Sequence, residues 1–157
     1  ALTKEEMEEF IDSNDCGVLC LAGTDGYPYG VPVNHVLKDG RIYFHGRMHG
    51  EKVSDIENDP RCSYTVFDYS DYERLGDDAC DSTIAYTSVI VKGRVSTVEE
   101  ERKEEILQAI IDRAIPERSS DRMSPQMLKA VRVFEITIDS MTGKTRRPVS
   151  GHRMYVR

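Results

Sequence analysis

Three extended runs, Cys16 to Ala22, Tyr27 to Val36 and Arg41 to His45, follow one another with only a short turn between each pair. Parallel neighbours need a crossover of about a dozen residues or more, so these strands are antiparallel and a doubly wound parallel sheet is disfavoured. Gly23-Thr24-Asp25-Gly26 and Leu37-Lys38-Asp39-Gly40 supply the glycines that tight hairpin turns demand. The middle run, Tyr27-Pro28-Tyr29-Gly30-Val31-Pro32-Val33-Asn34-His35, is unusual. Pro28 and Pro32 cannot donate to a ladder, so this strand lies at an edge or is bulged. Backbone groups on such an edge are free to meet a ligand.

The remaining chain reads as further strands with helices set between and beside them. Thr3-x-x-Glu6 is a capping-box pattern, and Met7, Phe10 and Ile11 follow at helical spacing, which predicts a helix over 3–13. A helix over Glu51 to Asn58 ends at Asp59-Pro60, and strands follow over Cys62 to Phe67 and Ile84 to Val98, the latter with a bend at Gly93. The acidic stretch between them, Tyr69 to Ser82, reads as a loop. Glu99 to Ala114 is the strongest helix, with Ile106, Leu107, Ile110 and Ile111 as its apolar stripe. Ser124-Pro125 opens a short helix, and Val131 to Ile138 is the last strand. About six strands linked mostly by hairpins predict a mainly β, α+β chain folded as a small antiparallel barrel. No linker or repeat divides the 157 residues, so one domain is expected.

A net charge of −7 excludes generic attraction to nucleic acid or an anionic membrane. No apolar run reaches the roughly 18 residues that cross a bilayer, and the first residues lack a signal-peptide pattern. The cytoplasm is the expected compartment. The four cysteines, Cys16, Cys20, Cys62 and Cys80, form neither a CxxC pair nor a disulfide framework and read as buried thiols. The tail from Ser140 carries Lys144, Arg146, Arg147, Arg153 and Arg157 without an acid. It reads either as a solvated end or as a segment that meets a specific anion.

The segment from Gly26 to Lys52 carries the candidate chemistry. His45-Gly46-Arg47-Met48-His49-Gly50-Glu51-Lys52 runs from an apolar strand into a helix start. Unpaired N–H groups and the dipole at a helix N-terminus favour anions, and Gly46 and Gly50 let the backbone approach one. His45, Arg47, His49 and Lys52 add donors and charge. The spacing is not that of a Walker loop, and the histidines lack the carboxylate or thiol partners of a metal site, so no metal is expected. Asn34 can donate and accept toward the edge of a heterocycle, or be satisfied by backbone. Tyr86, Thr87 and Ser88 interrupt an apolar strand with three hydroxyls that suit a phosphate or a polyol chain, or simply a half-exposed strand.

In this order the elements resemble the FMN-binding split β-barrel of the pyridoxamine 5′-phosphate oxidase superfamily. The nearest likeness is to its nitroimidazole-resistance (nitroimidazole reductase-like) branch. The residues that carry the resemblance are Cys16 to Leu21, Asp25 to Asn34, Ile42 to Gly46, Gly50 to Lys52, Asn58 to Cys62, and Tyr86-x-Ser88-Val89 leading to Gly93. The resemblance implies a six-stranded antiparallel split barrel with Greek-key character and flanking helices. It also implies a homodimer with FMN at the interface. Val31, Pro32, Val33 and Asn34 would then lie along the flavin ring. His45, Gly46, Arg47 and Lys52 would hold the phosphate, and Tyr86, Thr87 and Ser88 would reach the cofactor. Lys144, Arg146 and Arg147 could close over the site from the partner. The activity implied is an FMN-dependent oxidoreductase that reduces a small organic acceptor, with NAD(P)H as one electron donor and His45 as the candidate acid or base. A flavin-binding carrier without turnover, and a barrel that binds deazaflavin or haem, are the alternatives.

Overall fold

The computed structural model describes residues 1–146, with the side chains of Ser70 and Asp71 excepted. Seven strands form one sheet: β1 (Cys16–Ala22), β2 (Pro28–Asn34), β3 (Val36–Lys38), β4 (Arg41–Arg47), β5 (Arg61–Arg74), β6 (Ser82–Thr97) and β7 (Val131–Arg146). Their order is β2-β1-β5-β6-β7-β4-β3, and every pairing is antiparallel. The two outermost strands, β2 and β3, are one run of chain broken only at His35. One half of that run pairs with β1 and the other with β4, so the sheet closes on itself. Seven segments thus make a ring of six strands, as expected for a split barrel.

Turn chemistry sets the register. Asp39 and Gly40 both have positive φ, the backbone that a two-residue hairpin favours. The barrel interior holds Leu19, Leu21, Val33, Phe44, Tyr64, Val66, Val89, Val91 and Ile136, closed by Met7 and Ile11 of α1 (Lys4–Ser13) and by Val53 and Ile56 of α2 (Glu51–Asn58). Both halves of the predicted capping box start α1. A second cluster packs Ile106, Leu107 and Ile110 of α3 (Glu100–Ala114) against Tyr43 and Val133 on the outside of the barrel. Ser124 caps α4 (Pro125–Ala130) through the Met127 N–H.

Three expectations need correction. The acidic stretch is not all loop: β5 runs on to Arg74 and pairs with β6 from Ser82, leaving a short turn. Tyr72 and Glu73 opposite Ile84 and Thr83 continue the ladder across a bulge after Tyr69. The start of the basic tail is also strand, because β7 continues along β6 until Arg146 faces Tyr86. Finally, only Cys62 is a buried thiol. Cys16 and Cys80 are exposed and Cys20 is half-buried, because Leu19 and Leu21 take the inward positions of β1.

His35, at the break between β2 and β3, is buried and fully hydrogen-bonded. Its Nε2–H donates to the Ile11 carbonyl at 2.8 Å, which leaves Nδ1 to accept the Tyr64 hydroxyl at 2.7 Å. Burial lowers the His35 pKa, partly offset by the Ile11 carbonyl and by Asp15 and Asp12. The unfolded chain therefore binds a proton more readily than the native one. Stability should be complete above about pH 6.5 and fall as the pH drops through that value toward the native pKa. Urea melts at about pH 7.5 and 5.5 check this. A midpoint that is unchanged or higher on acidification would show that His35 is not held neutral.

Candidate functional site

Hydrogen bonding along β2 explains why the barrel is split. Gly23 N–H donates to the Tyr27 carbonyl, and His35 N–H to the Asp15 carbonyl. Odd-numbered residues of this run therefore face β1. The even-numbered ones, including both prolines, turn their backbone to the other side, where β3 meets β4. Extending the Val36–Tyr43 register would set Asn34 opposite His45 and Pro32 opposite Arg47, but no pairing forms there. Pro28 and Pro32 offer no N–H for such a ladder. The strands part, and the cleft between them is lined by the edge of β2 and the end of β4.

This alternation decides which backbone groups of the strand are free. The whole Val31 to Asn34 backbone cannot donate to a ring in the cleft, because Val31 and Val33 are spent on β1 and Pro32 has no N–H. The free donors on this edge are the N–H groups of Gly30 and Asn34. The side-chain amide of Asn34 donates to the Asp15 carbonyl at 3.2 Å. Val33 points into the core, whereas Pro32 and Asn34 are exposed.

Across the cleft, β4 delivers His45, Gly46 and Arg47, and Gly50 starts α2 with φ 136° and no side-chain cap. Lys52, one residue into that helix, folds back over the end of β4. Its Nζ lies 5.5 Å from the Phe44 ring centroid, and Phe44 stacks on Phe134. A side chain at position 46 would crowd it, since a Cβ there would sit 3.0 Å from Nζ. Lys52 is half-buried and forms no ion pair among the described residues. Loss of hydration lowers its pKa. His45 is exposed, yet partial loss of water lowers its pKa too, and the Lys52 charge adds to this. A desolvated ammonium without an acid, a glycine beneath it and an uncapped helix start together suit an anion.

The hydroxyl strand lies elsewhere on the barrel. Val18 faces Pro32 and Thr65, Thr65 faces Ile90, and Ile90 faces Thr142. Pro32, Asn34, Tyr86, Ser88, Lys144 and Arg146 therefore share one outer face, with β1 and β5 between β2 and β6. At about 4.8 Å per strand, β2 and β6 are about 14 Å apart across it. Thr87 points the other way and bonds the Thr145 hydroxyl at 2.9 Å. His45 faces Val133 and Ser88 faces Lys144, eleven residues further along β7. Within one chain the structure does not bring Tyr86 and Ser88 to the cleft. Arg147 lies outside the described residues.

Sequence reasoning missed the apolar character of this outer face. Phe67, Tyr69 and Ile90 are 52%, 58% and 41% exposed, and the rings of Phe67 and Tyr69 stack with centroids 6.4 Å apart. Alternation held the signal: Ile90 lies between Val89 and Val91, which fill the core. It was hidden because all three residues look alike as strand formers.

A family model described as pyridoxamine 5′-phosphate oxidase matches residues 3–145. The chain belongs to that family. No curated protein matches this family member. Its fold recurs in solved structures of low identity. One is a candidate 5-nitroimidazole antibiotic resistance protein from Bacteroides thetaiotaomicron, 22% identical, with a TM-score of 0.74 over 91% of this chain and 84% of that one. The FAD and heme binding protein from Mycobacterium smegmatis is 18% identical, with a TM-score of 0.83 over 94% and 73%. The flavocytochrome Anf3 from Azotobacter vinelandii is 22% identical, with a TM-score of 0.82 over 94% and 69%. No helix among the described residues is long and apolar enough to cross a membrane.

Proposed function

We propose that this member of the pyridoxamine 5′-phosphate oxidase family binds FMN in the cleft between β2 and β4 and acts as an oxidoreductase on a small organic acceptor. The observation that carries this reading is Lys52, a half-buried ammonium with no acid partner among the described residues, set against Gly46 at the start of α2. The phosphate would be held by Lys52, with Arg47 and His45 beside it. The ring would lie along the β2 edge, where the Gly30 and Asn34 N–H groups remain to donate to it. A bound flavin supplies the redox chemistry, and the protein contributes orientation and charge. One structural relative named as an FAD and heme binding protein and another named as a flavocytochrome support a redox cofactor on this fold.

The same reading makes the functional unit a homodimer. Phe67, Tyr69, Ile90 and Tyr86 form an exposed apolar face, the kind of surface that marks an interaction site. A second copy laid on it would bring Tyr86, Ser88, Lys144 and Arg146 toward its partner's cleft, which a single chain does not achieve.

Mass spectrometry of the cofactor released from purified protein tests the proposal. FMN in about one equivalent per chain is expected, followed by bleaching with NAD(P)H and reoxidation by a nitro compound or quinone. Bound FMN that no donor reduces would leave a flavin carrier. Haem or a deazaflavin would replace the cofactor, and colourless protein that takes up no FMN would end the flavin reading altogether.

A further inference from the structure

The outer face has a second feature, centred on β5 and β6 rather than on the β2–β4 cleft. A shallow, open concavity of about 360 Å³ lies over β1, β5, β6 and β7, lined by Cys20, Arg61, Ser63, Lys92, Arg94 and Asp139 among others. We propose that this concavity is a second anion site, one that takes a phosphoryl group through Lys92 and Arg94 with Arg61 and Ser63 beside them.

Three observations converge on this. First, Arg61 and Arg94 face each other directly across β5 and β6, and like charges opposed in this way cost stability unless something offsets them. Arg61 is partly neutralised by a forked contact with Asp59, whose carboxyl the guanidinium holds down to a pKa of about 2. Arg94 shares the field of the same Asp59 carboxylate without touching it: neither Arg94 nor Lys92 forms an ion pair or side-chain hydrogen bond among the described residues. Second, Lys92, Arg94, Arg61 and Ser63 share one face, because Ser63 opposes Lys92 and Arg61 opposes Arg94. A hydroxyl and three cations thus border a single concavity. Third, the concavity is built by a bulge. Gly93 pairs with Ile138 but Lys92 with Ser140, so Asp139 is the extra residue in β7. Bulges of this kind bend a strand and re-aim its side chains. Gly93 is required at the bend, since a Cβ there would lie 2.2 Å from the Thr137 carbonyl oxygen.

The Asp139 carboxylate at the rim narrows the ligand class. It repels a free dianion on one side while offering an acceptor to a hydroxyl. A phosphoryl group carried on a hydroxylated body, such as a nucleotide or sugar phosphate, fits this mixture better than inorganic phosphate. The Cys62 thiol below is raised to about 11 by burial, so it adds no negative charge near neutral pH.

The test is calorimetric titration of the full chain in low salt with two probes, inorganic phosphate and adenosine 5′-monophosphate. It uses the wild-type protein, the Lys52→Ala variant and the Lys92→Ala/Arg94→Ala double variant. The nucleotide is expected to bind the Lys52→Ala protein, to bind about tenfold more weakly or worse to the double variant, and to outbind phosphate. FMN affinity should be unchanged in the double variant, which separates this site from the cleft. Equal nucleotide affinity in the double variant and the wild type would overturn the proposal. So would phosphate binding as tightly as the nucleotide, since the body of the ligand would then count for nothing. A double variant that loses its dimer with no change in nucleotide affinity would also overturn it, by assigning the cations to an interface.

Discussion

Removing Lys52 and Arg47 together, as Lys52→Ala with Arg47→Ala, should weaken FMN binding by about two orders of magnitude and leave the fold intact. Hydrogen bonds to a charged group contribute roughly 1.5–3 kcal/mol each, and about 1.4 kcal/mol is a factor of ten in affinity. Most of the effect belongs to Lys52. It is half-buried on the Phe44 ring and its pKa is lowered by lost hydration, so it already bears a desolvation cost that an incoming phosphate would offset. Arg47 is exposed at the end of β4 and remains solvated, so it adds less. Fluorescence titration should show the loss for FMN and only a small change for riboflavin, which lacks the phosphate. Equal losses for both flavins would mean that the double variant damages the ring site. No loss for either would place the phosphate away from α2.

How far the sequence revealed this arrangement depended on whether the information was local. The α1 capping box, the span of α2 and the stop at Asp59-Pro60 were all legible because neighbours within a few residues decide them. Pro28 and Pro32 likewise announced an edge. Their sequence did not tell which edge, or that the free donors would be Gly30 and Asn34, because that depends on which parity β1 claims. The extensions of β5 past Phe67 and of β7 past Ile138 were missed for a related reason. Tyr69 to Arg74 and Ser140 to Arg146 are polar and carry little alternation of their own. They become strands because β6, rich in β-branched residues from Ile84 to Val95, offers both a continuous partner. The anion cradle was readable as a list of donors. That Lys52 alone of them is half-buried and unpaired required the fold.

The same non-local logic makes Gly17→Ala a severe test of the barrel. Gly17 lies on β1 opposite Val33, with no turn or positive φ that would call for glycine. Its reason is Tyr64. A Cβ at position 17 would sit 2.5 Å from the Tyr64 Cζ, 2.6 Å from its hydroxyl and 2.8 Å from the Thr65 carbonyl oxygen. Tyr64 cannot swing aside, because it is fully buried and its hydroxyl donates to the His35 Nδ1 at 2.7 Å, with the Val33 carbonyl 3.2 Å away as the alternative acceptor. The added methyl therefore has to displace the ring and break the Tyr64–His35 contact that ties β5 to the break in β2. Overpacking costs about 1–3 kcal/mol and an unsatisfied buried polar group about as much again, so a loss of about 3–5 kcal/mol is expected. Chemical denaturation should show it as a lower midpoint with an unchanged slope. Gly17→Ala combined with Tyr64→Phe should recover little, because the ring carbon remains in place and the Nδ1 of His35 loses its donor. Near-wild-type stability in Gly17→Ala would mean that β1 can shift away from Tyr64, and that the His35–Tyr64 contact does not fix where β2 leaves the ladder and the cleft begins.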